Sequence, residues 1–328
     1  MTTARQELLR RMTDHEFHSG ESLGNALSVS RAAVWKQIQA LQEEGIEFEI
    51  QHGKGYRLIT EIDFLDEQTI LKQIPKQLKD KFDFTLMPEV ESTSSYLLTQ
   101  ALNRPQRTQV CVAERQTAGR GRRGREWQSA YGTSLTMSLL WRADNGVAAL
   151  AGLSLATGVA IAQSLENLGG YNLQLKWPND LVYRDAKVGG ILIEVSGDAV
   201  GPCYVVIGIG LNVCATIRQS SMQKIEQPWC NLRELDPDTL LSRNSLCASI
   251  IESLLNMLQR FNREGFPVFR EAFLKRDALY RREVKVLRGE RETLGRAMGV
   301  ADDGSLLLDT SGQTLTINSG EVSVRALG

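Results

Sequence analysis

Histidine is nearly missing from this 328-residue sequence, which has only His15, His18 and His52. A histidine base, nucleophile relay or metal site is therefore excluded from everything beyond residue 52. Cysteine is scarce too: Cys111, Cys203, Cys214, Cys230 and Cys247 are odd in number and form no C-x-x-C pair. That pattern fits reduced thiols and argues against a disulfide scaffold or a zinc site, so no resident metal is expected. No G-x-x-x-x-G-K-[ST] run occurs, which argues against a P-loop ATPase. The most apolar run, residues 147–162, is too short for a bilayer span, carries Ser154 and Thr157, and reads as a buried helix. The N-terminal MTTARQELLRR lacks the apolar core of a signal peptide, so the expectation is a soluble cytoplasmic protein without a membrane partner. A formal net charge of −1 leaves no bulk positive field for nucleic acid. No internal repeat or low-complexity tract is visible.

What is present concentrates in residues 114–127, ERQTAGRGRRGREW. There Arg120, Arg122, Arg123 and Arg125 alternate with Gly119, Gly121 and Gly124. Glycine lets backbone N–H groups approach a ligand closely, and arginine adds permanently charged planar forks that suit phosphate and carboxylate. An Arg about 4 Å from a phosphate contributes roughly 4 kcal/mol at an effective dielectric near 20. Ordering the loop costs about 1–2 kcal/mol per residue, and its like charges repel, so residues 119–125 are expected to order only around an anion. Taken alone, the stretch is equally compatible with a surface loop for RNA or DNA.

Residues 1–60 read as a small winged helix-turn-helix. Helices are expected over 2–13 and 22–27, then over 31–44 with Ser30 as N-cap and Gly45 as the stop. In the third helix Val34, Ile38 and Leu41 recur at helical spacing and face a core. Ser30, Arg31, Ala32, Lys36 and Gln39 are left for phosphates and base edges, while Trp35 falls between the two faces without an assignment. Ile46, Phe48 and Ile50 alternate as a strand, and His52-Gly53-Lys54-Gly55 turns back to Tyr56 and Leu58, a hairpin wing with Lys54 near its tip. Residues 1–60 hold seven Lys and Arg against eight Asp and Glu, so only the third helix and the wing are locally basic. Weak binding by one copy points to a dimer on a two-half-site operator. A module used only for protein contacts is the alternative.

Residues 63–276 alternate strands and helices, a central mixed α/β domain. Ser92, Thr93 and Ser94 precede a helical run and can cap it or bond a polar ligand head. Leu135, Met137, Leu139 and Trp141 alternate with Thr136 and Ser138 as a half-buried strand. Lys176-Trp177-Pro178-Asn179-Asp180 ends a strand in a turn, which explains Asn179 and Asp180 without any function. Lys187 stands beside Gly189-Gly190 at the start of an apolar strand, where it can reach a site or simply be solvated. Gly208-Ile209-Gly210-Leu211-Asn212 closes another strand; it is an incomplete dinucleotide fingerprint whose glycines would let a flat ligand lie against backbone. Residues 244–263 form an amphipathic scaffold helix. The tail, 277–328, consists of short strands between Gly, Asp and Ser turns and reads as a small β-barrel.

The winged helix at 1–62, GRGRRG, KWPND, KVGGILIE, G-x-G-x-N and the terminal barrel occur in that order. Over its whole length the chain resembles the bifunctional biotin protein ligases that also repress the biotin operon. The resemblance implies an α+β multidomain fold: a winged helix-turn-helix at 1–62, a ligase domain at 63–276 and an SH3-like β-barrel at 277–328. It implies that biotin, ATP and Mg²⁺ give biotinyl-5′-AMP, which biotinylates one lysine of the biotin carboxyl carrier protein of acetyl-CoA carboxylase. The adenylate would also act as corepressor for a homodimer on biotin operator DNA.

Residue by residue, the resemblance gives Ser92, Thr93, Ser94, Gln116, Gly190 and Gly210 to the biotin pocket. Arg120 and Arg122 go to the phosphate and the biotin carboxylate, and Lys187 to the reacting carbonyl. Arg125, Trp127, Asn179, Asn212 and Arg325 go to the adenylate side, and Asp180 to the incoming lysine. Ser94 stands where the family usually has Asn. Residues 213–226 should form an adenylate-ordered loop. Three competitors remain: a ligase with a non-repressing N-terminal module, a ligand-sensing repressor without chemistry, and a lipoate-type ligase.

Overall fold

The computed structural model describes residues 4–129, 131–197, 201–214, 227–236, 241–320 and 322–327. The first unit packs α1 (Ala4–Arg11), α2 (Gly20–Leu27) and α3 (Arg31–Glu43) against the hairpin β1 (Phe48–Gln51) and β2 (Gly55–Leu58). Ser19, one of the two cap candidates with Ser22, caps α2, which starts two residues earlier than expected, and Ser30 caps α3 by accepting from Ala33 N at 3.1 Å. Leu8, Leu9, Met12, Leu23, Val34, Ile38, Leu41, Ile46 and Leu58 form the core, as helical spacing dictates. Ile50 departs from its expected alternation and is 52 % exposed on the wing.

Beyond the connecting segment come α4 (Glu67–Gln73), α5 (Lys76–Lys79), β3 (Phe82–Met87), α6 (Thr93–Ala101), β4 (Thr108–Ala113), β5 (Gly119–Arg120), β6 (Glu126–Trp127) and β7 (Ser134–Ala143). They are followed by α7 (Leu153–Gly169), β8 (Gln174–Lys176), β9 (Asp180–Tyr183), β10 (Ala186–Gly197), β11 (Cys203–Asn212), α8 (Leu232–Leu235), α9 (Arg243–Glu264) and α10 (Pro267–Leu274). Seven strands make one sheet in the order β3-β4-β7-β11-β10-β9-β8, parallel at β3/β4 and antiparallel elsewhere. Helices α7 and α9 build the large core on one face, while α6 closes a smaller cluster of Leu97, Ala101, Cys111, Leu140 and Val206 on the other.

Two expectations are corrected here. Strand β7 is buried on both faces rather than half-buried, because α6 covers the face that carries Thr136 and Ser138. The apolar helix is interrupted: residues 147–150 form a 3-10 turn, and α7 starts only at Leu153. Gly152 makes the break with φ +76°, and a Cβ there would sit 2.4 Å from Phe266 Cγ. The segment Val147–Gly169 reaches the length and apolarity of a membrane span, yet its helix packs on α9, α10 and the sheet.

The tail is a five-stranded antiparallel sheet of β12 (Glu283–Arg288), β13 (Arg291–Val300), β14 (Leu306–Thr310), β15 (Gln313–Ile317) and β16 (Val322–Ala326), in the order β15-β14-β13-β12-β16. No ladder joins β15 to β16 among the described residues, so the strand order does not close. Trp177, 1 % exposed, donates its indole N–H to Gly304 O at 2.9 Å and ties this sheet to the β8–β9 hairpin.

The connection between the first unit and the central domain is fixed from inside. Arg243 at the start of α9 and Glu114 at the end of β4 pair at 2.9 Å with both side chains buried. Glu114 also accepts from Leu65 N at 2.6 Å, and Arg243 donates to the carbonyls of Asp63 and Ser134. These further hydrogen bonds offset part of the desolvation cost of the buried pair, although Arg243 Nε is left without a partner.

Candidate functional site

The floor of the central cleft is a set of buried hydroxyls where α6 begins. Ser92 spends its side chain as N-cap, accepting from Ser95 N at 3.3 Å. Its neighbour Thr93 donates through both its backbone N–H and its hydroxyl to Gln116 Oε1, at 2.8 and 3.0 Å. Ser138 of β7 lies 2.7 Å from the Thr93 hydroxyl and 3.0 Å from that of Ser94. These are rotatable donors and acceptors in an uncharged setting, suited to a neutral polar ring. Ser94 needs the glycine at 208, since a Cβ there would lie 2.5 Å from its Oγ.

The mouth is cationic. Strands β5 and β6 pair as a hairpin, with Gly121 N donating to Arg125 O at 2.7 Å and Arg123 at φ 60°. This gives residues 119–125 a defined shape, where the sequence leads one to expect order only around an anion. Arg120 reaches Glu194 of β10 at 2.6 Å, and Arg122 donates to Asn179 Oδ1 at 3.0 Å and to the carbonyls of Ser319 and Gly320. Burial pulls the Arg122 pKa down, Asp180 opposes the shift, and Arg123 and Arg125 add to it. Lys187 Nζ lies 2.7 Å from Asp180 Oδ1 across the β9/β10 bulge and 5.9 Å over the Trp127 ring.

Trp127 covers Gly210, where a Cβ would lie 2.3 Å from Cε2, and Lys187 lies across Gly190. The indole Nε1 is buried without a hydrogen-bond partner. In this arrangement the cleft encloses about 50 Å³. Ligand pockets ordinarily hold roughly 300–1,000 Å³, and beside the cleft a depression of about 750 Å³ runs along the β5–β6 hairpin, sharing Gln116, Arg120, Arg122 and Trp127 with it.

Ser92, Thr93, Ser94, Gln116, Arg120, Arg122, Trp127, Asn179, Lys187, Gly190 and Gly210 thus line one cleft, with Asp180 on Lys187. Three residues expected on the adenylate side do not line it. Arg125 is exposed and borders a neighbouring depression together with Arg123, Glu43 and Glu44. Asn212 donates to Cys230 O at 3.2 Å, behind Lys187. Arg325 is exposed on β16 opposite Lys285, and the tail reaches the cleft through the Ser319 and Gly320 carbonyls instead. Most of the expected ordered loop, 215–226, lies outside the described residues. Ser138, Leu192 and Glu194 were not marked as site residues by the sequence, whereas Gly208 was marked through its Gly208-x-Gly210 run. Ser138 was readable as a polar residue in β7, but its alternation placed it on a solvent face.

On the first unit Arg31, Ala32 and Lys36 are exposed on α3. Ser30 is held as the cap, Gln39 bonds Gln42 at 3.0 Å, and Lys54 lies 5.5 Å over the Phe17 ring.

A family model described as "Biotin/lipoate A/B protein ligase family" matches residues 86–212, an "HTH domain" model residues 4–57, and "Biotin protein ligase C terminal domain" residues 282–325. The chain is 38% identical to the "Bifunctional ligase/repressor BirA" of Salmonella typhimurium, covering 99% of this chain and 98% of that one. It is 37% identical to the protein of the same name from Escherichia coli, over 98% of this chain and 97% of that one. Among solved structures, the biotin protein ligase from Aquifex aeolicus in complex with biotin and ATP superposes with a TM-score of 0.65 at 29% identity, covering 75% of this chain and 99% of that one.

Proposed function

We propose that this chain, which belongs to the family of biotin protein ligases with an N-terminal DNA-binding domain, both makes and spends biotinyl-5′-AMP. It condenses biotin with ATP, releases pyrophosphate, and passes the biotinyl group to one lysine of a biotin carboxyl carrier protein. As the adenylate-bound homodimer it represses the biotin operon. The observation that carries this reading is the contrast within one cleft: buried neutral hydroxyls at Thr93, Ser94 and Ser138 below, and Arg120, Arg122 and Lys187 above.

In the first step the biotin carboxylate attacks the α-phosphate and pyrophosphate leaves. The nucleophile belongs to the substrate, so the protein supplies charge neutralisation, from Arg120, Arg122 and Lys187. The hydroxyl floor and Gln116 hold the ureido ring, while Trp127 and Asn179 serve the adenylate, with Arg125, Asn212 and Arg325 at its margin. Mg²⁺ would enter as part of the ATP substrate and would supply further charge neutralisation at its phosphates. In the second step the carrier lysine attacks the biotinyl carbonyl, AMP leaves, and Asp180 orients the amine and takes its proton. Ser30, Arg31, Ala32, Lys36, Gln39 and Lys54 face the operator. Carrier, nucleotide and operator place the protein in the cytoplasm.

The test is pyrophosphate release from ATP with biotin or with lipoate, in wild type, Lys187→Ala and Arg122→Ala. Biotin-dependent release that both substitutions abolish supports the assignment. Release with lipoate and none with biotin overturns it.

A further inference from the structure

Trp35 is left over by both functions. In α3, Val34, Ile38 and Leu41 are fully buried. One turn apart, Arg31, Trp35 and Gln39 follow each other along a stripe beside Ala32 and Lys36. Trp35 is 50 % exposed, whereas Trp177 is 1 % exposed and Trp127, Trp141 and Trp229 are at least partly covered. An indole is among the largest apolar surfaces a side chain offers, and it is ordinarily covered. Neither the cap at Ser30 nor the core of the unit uses it.

Arg31 and Lys36 put two exposed cations beside the indole on α3. Arg31 crosses the start of α2 toward the wing: a Cβ on Gly20 would meet Arg31 Cγ at 3.1 Å and Tyr56 Cε2 at 3.3 Å. Arg31 therefore lies toward β2. On the wing Lys54 and Arg57 both lie over Phe17. The first turn of α3 contains no acidic residue; the helix's acidic groups, Glu43 and Glu44, are at the opposite end, where Glu44 pairs with Arg5 and Arg115. An apolar plate with Arg31 and Lys36 beside it matches DNA, which presents sugars and thymine methyls between phosphates.

We infer that Trp35 is an operator-reading residue whose indole packs on a deoxyribose face or a thymine 5-methyl, between phosphates held by Arg31 and Lys36 and those held by Lys54. The inference rests on the DNA-binding reading above and adds a contact that no cation supplies. Its energy comes from apolar burial, so it does not depend on counterion release.

The experiment uses full-length protein saturated with biotinyl-5′-AMP and a duplex that wild type selects from a randomised library. Trp35→Ala weakens binding to that duplex about tenfold or more, the scale of one lost specific contact, and Trp35→Phe keeps most of it. The slope of log affinity against log salt is unchanged in Trp35→Ala, whereas Lys36→Ala lowers it by about one. Circular dichroism and denaturant unfolding of each variant report that the first unit keeps its fold. Replacing thymines by uracil one at a time separates the two contacts. A position where uracil weakens wild type but not Trp35→Ala identifies a methyl, and no such position identifies the sugar. Equal affinity of wild type and Trp35→Ala for the duplex overturns the inference alone. A wild type that selects no duplex overturns the operator reading and this inference with it.

Discussion

Arg115 Nη2 lies 2.9 Å from Glu44 Oε1, joining the base of the Arg-Gly hairpin to the C-terminal end of α3. Glu44 also takes Arg5 of α1 at 2.7 Å, and Arg115 takes Glu89 at 2.7 Å. Gln116, the next residue along, holds Thr93 in the cleft. One dipeptide therefore touches both the ligand floor and the reading head. A double-mutant cycle of Glu44→Gln and Arg115→Gln in denaturant unfolding should give a coupling of about 1–2 kcal/mol, between an exposed pair and a buried one. Additive losses would mean that the contact holds nothing together.

Lys187 and Asp180 should separate the two chemical steps. Lys187→Ala is expected to slow adenylate formation on the order of 10²–10³-fold, the usual cost of removing an electrostatic stabiliser. Asp180→Asn should leave adenylate formation closer to wild type and slow transfer from preformed biotinyl-5′-AMP to the carrier. Single-turnover assays of each half-reaction resolve the two, and equal losses in both steps would refute the division of roles.

Gly208→Ala puts a methyl 2.5 Å from Ser94 Oγ and should disrupt the hydroxyl floor. The expected result is a rise in the KM for biotin of roughly tenfold, the scale of about 1.4 kcal/mol, with a much smaller change in the KM for ATP. Adding Ser94→Ala removes the obstructing oxygen and should recover part of the loss. No recovery in the double variant would place the clash elsewhere.

Arg243→Met strands Glu114 as an unpaired carboxylate inside the protein. Loss of one partner of such a pair typically costs about 3–5 kcal/mol, so denaturant unfolding should show a large drop. The Arg243→Met/Glu114→Gln double variant should lose less than the sum. A loss under about 1 kcal/mol in the single variant would contradict the burial of the pair.

Asp277 gives a pH signature. It is 9 % exposed, bonds Leu279 N at 2.9 Å, and leaves Oδ2 without a partner. Burial raises its pKa from 3.8 to about 6. A carboxyl with a raised folded-state pKa binds more protons folded than unfolded, so its contribution is complete below the unfolded value and is lost as pH rises through about 6. Stability should fall between about pH 4 and 6.5, by at most roughly 3 kcal/mol from this group, and Asp277→Asn should flatten that segment. An identical pH profile in the variant would rule the group out.

The sequence by itself determined what depends on neighbours a few positions apart. The spacing of Val34, Ile38 and Leu41 between Ser30 and Gly45 contains the recognition helix, because core face, cap and stop all lie within one element. The Arg-Gly hairpin, KWPND and Lys187-Val188-Gly189-Gly190 were visible because loop and turn chemistry is local. Only the tertiary structure decided which face of β7 is the floor, since α6 covers a side that alternation assigns to water. It also decided that Arg122 meets the Ser319 and Gly320 carbonyls, which no side chain announces, and that Glu114 meets Arg243. Contacts between residues more than a hundred positions apart follow from the order in which strands join a sheet. That order is set by the packing of the whole core, not by any local pattern.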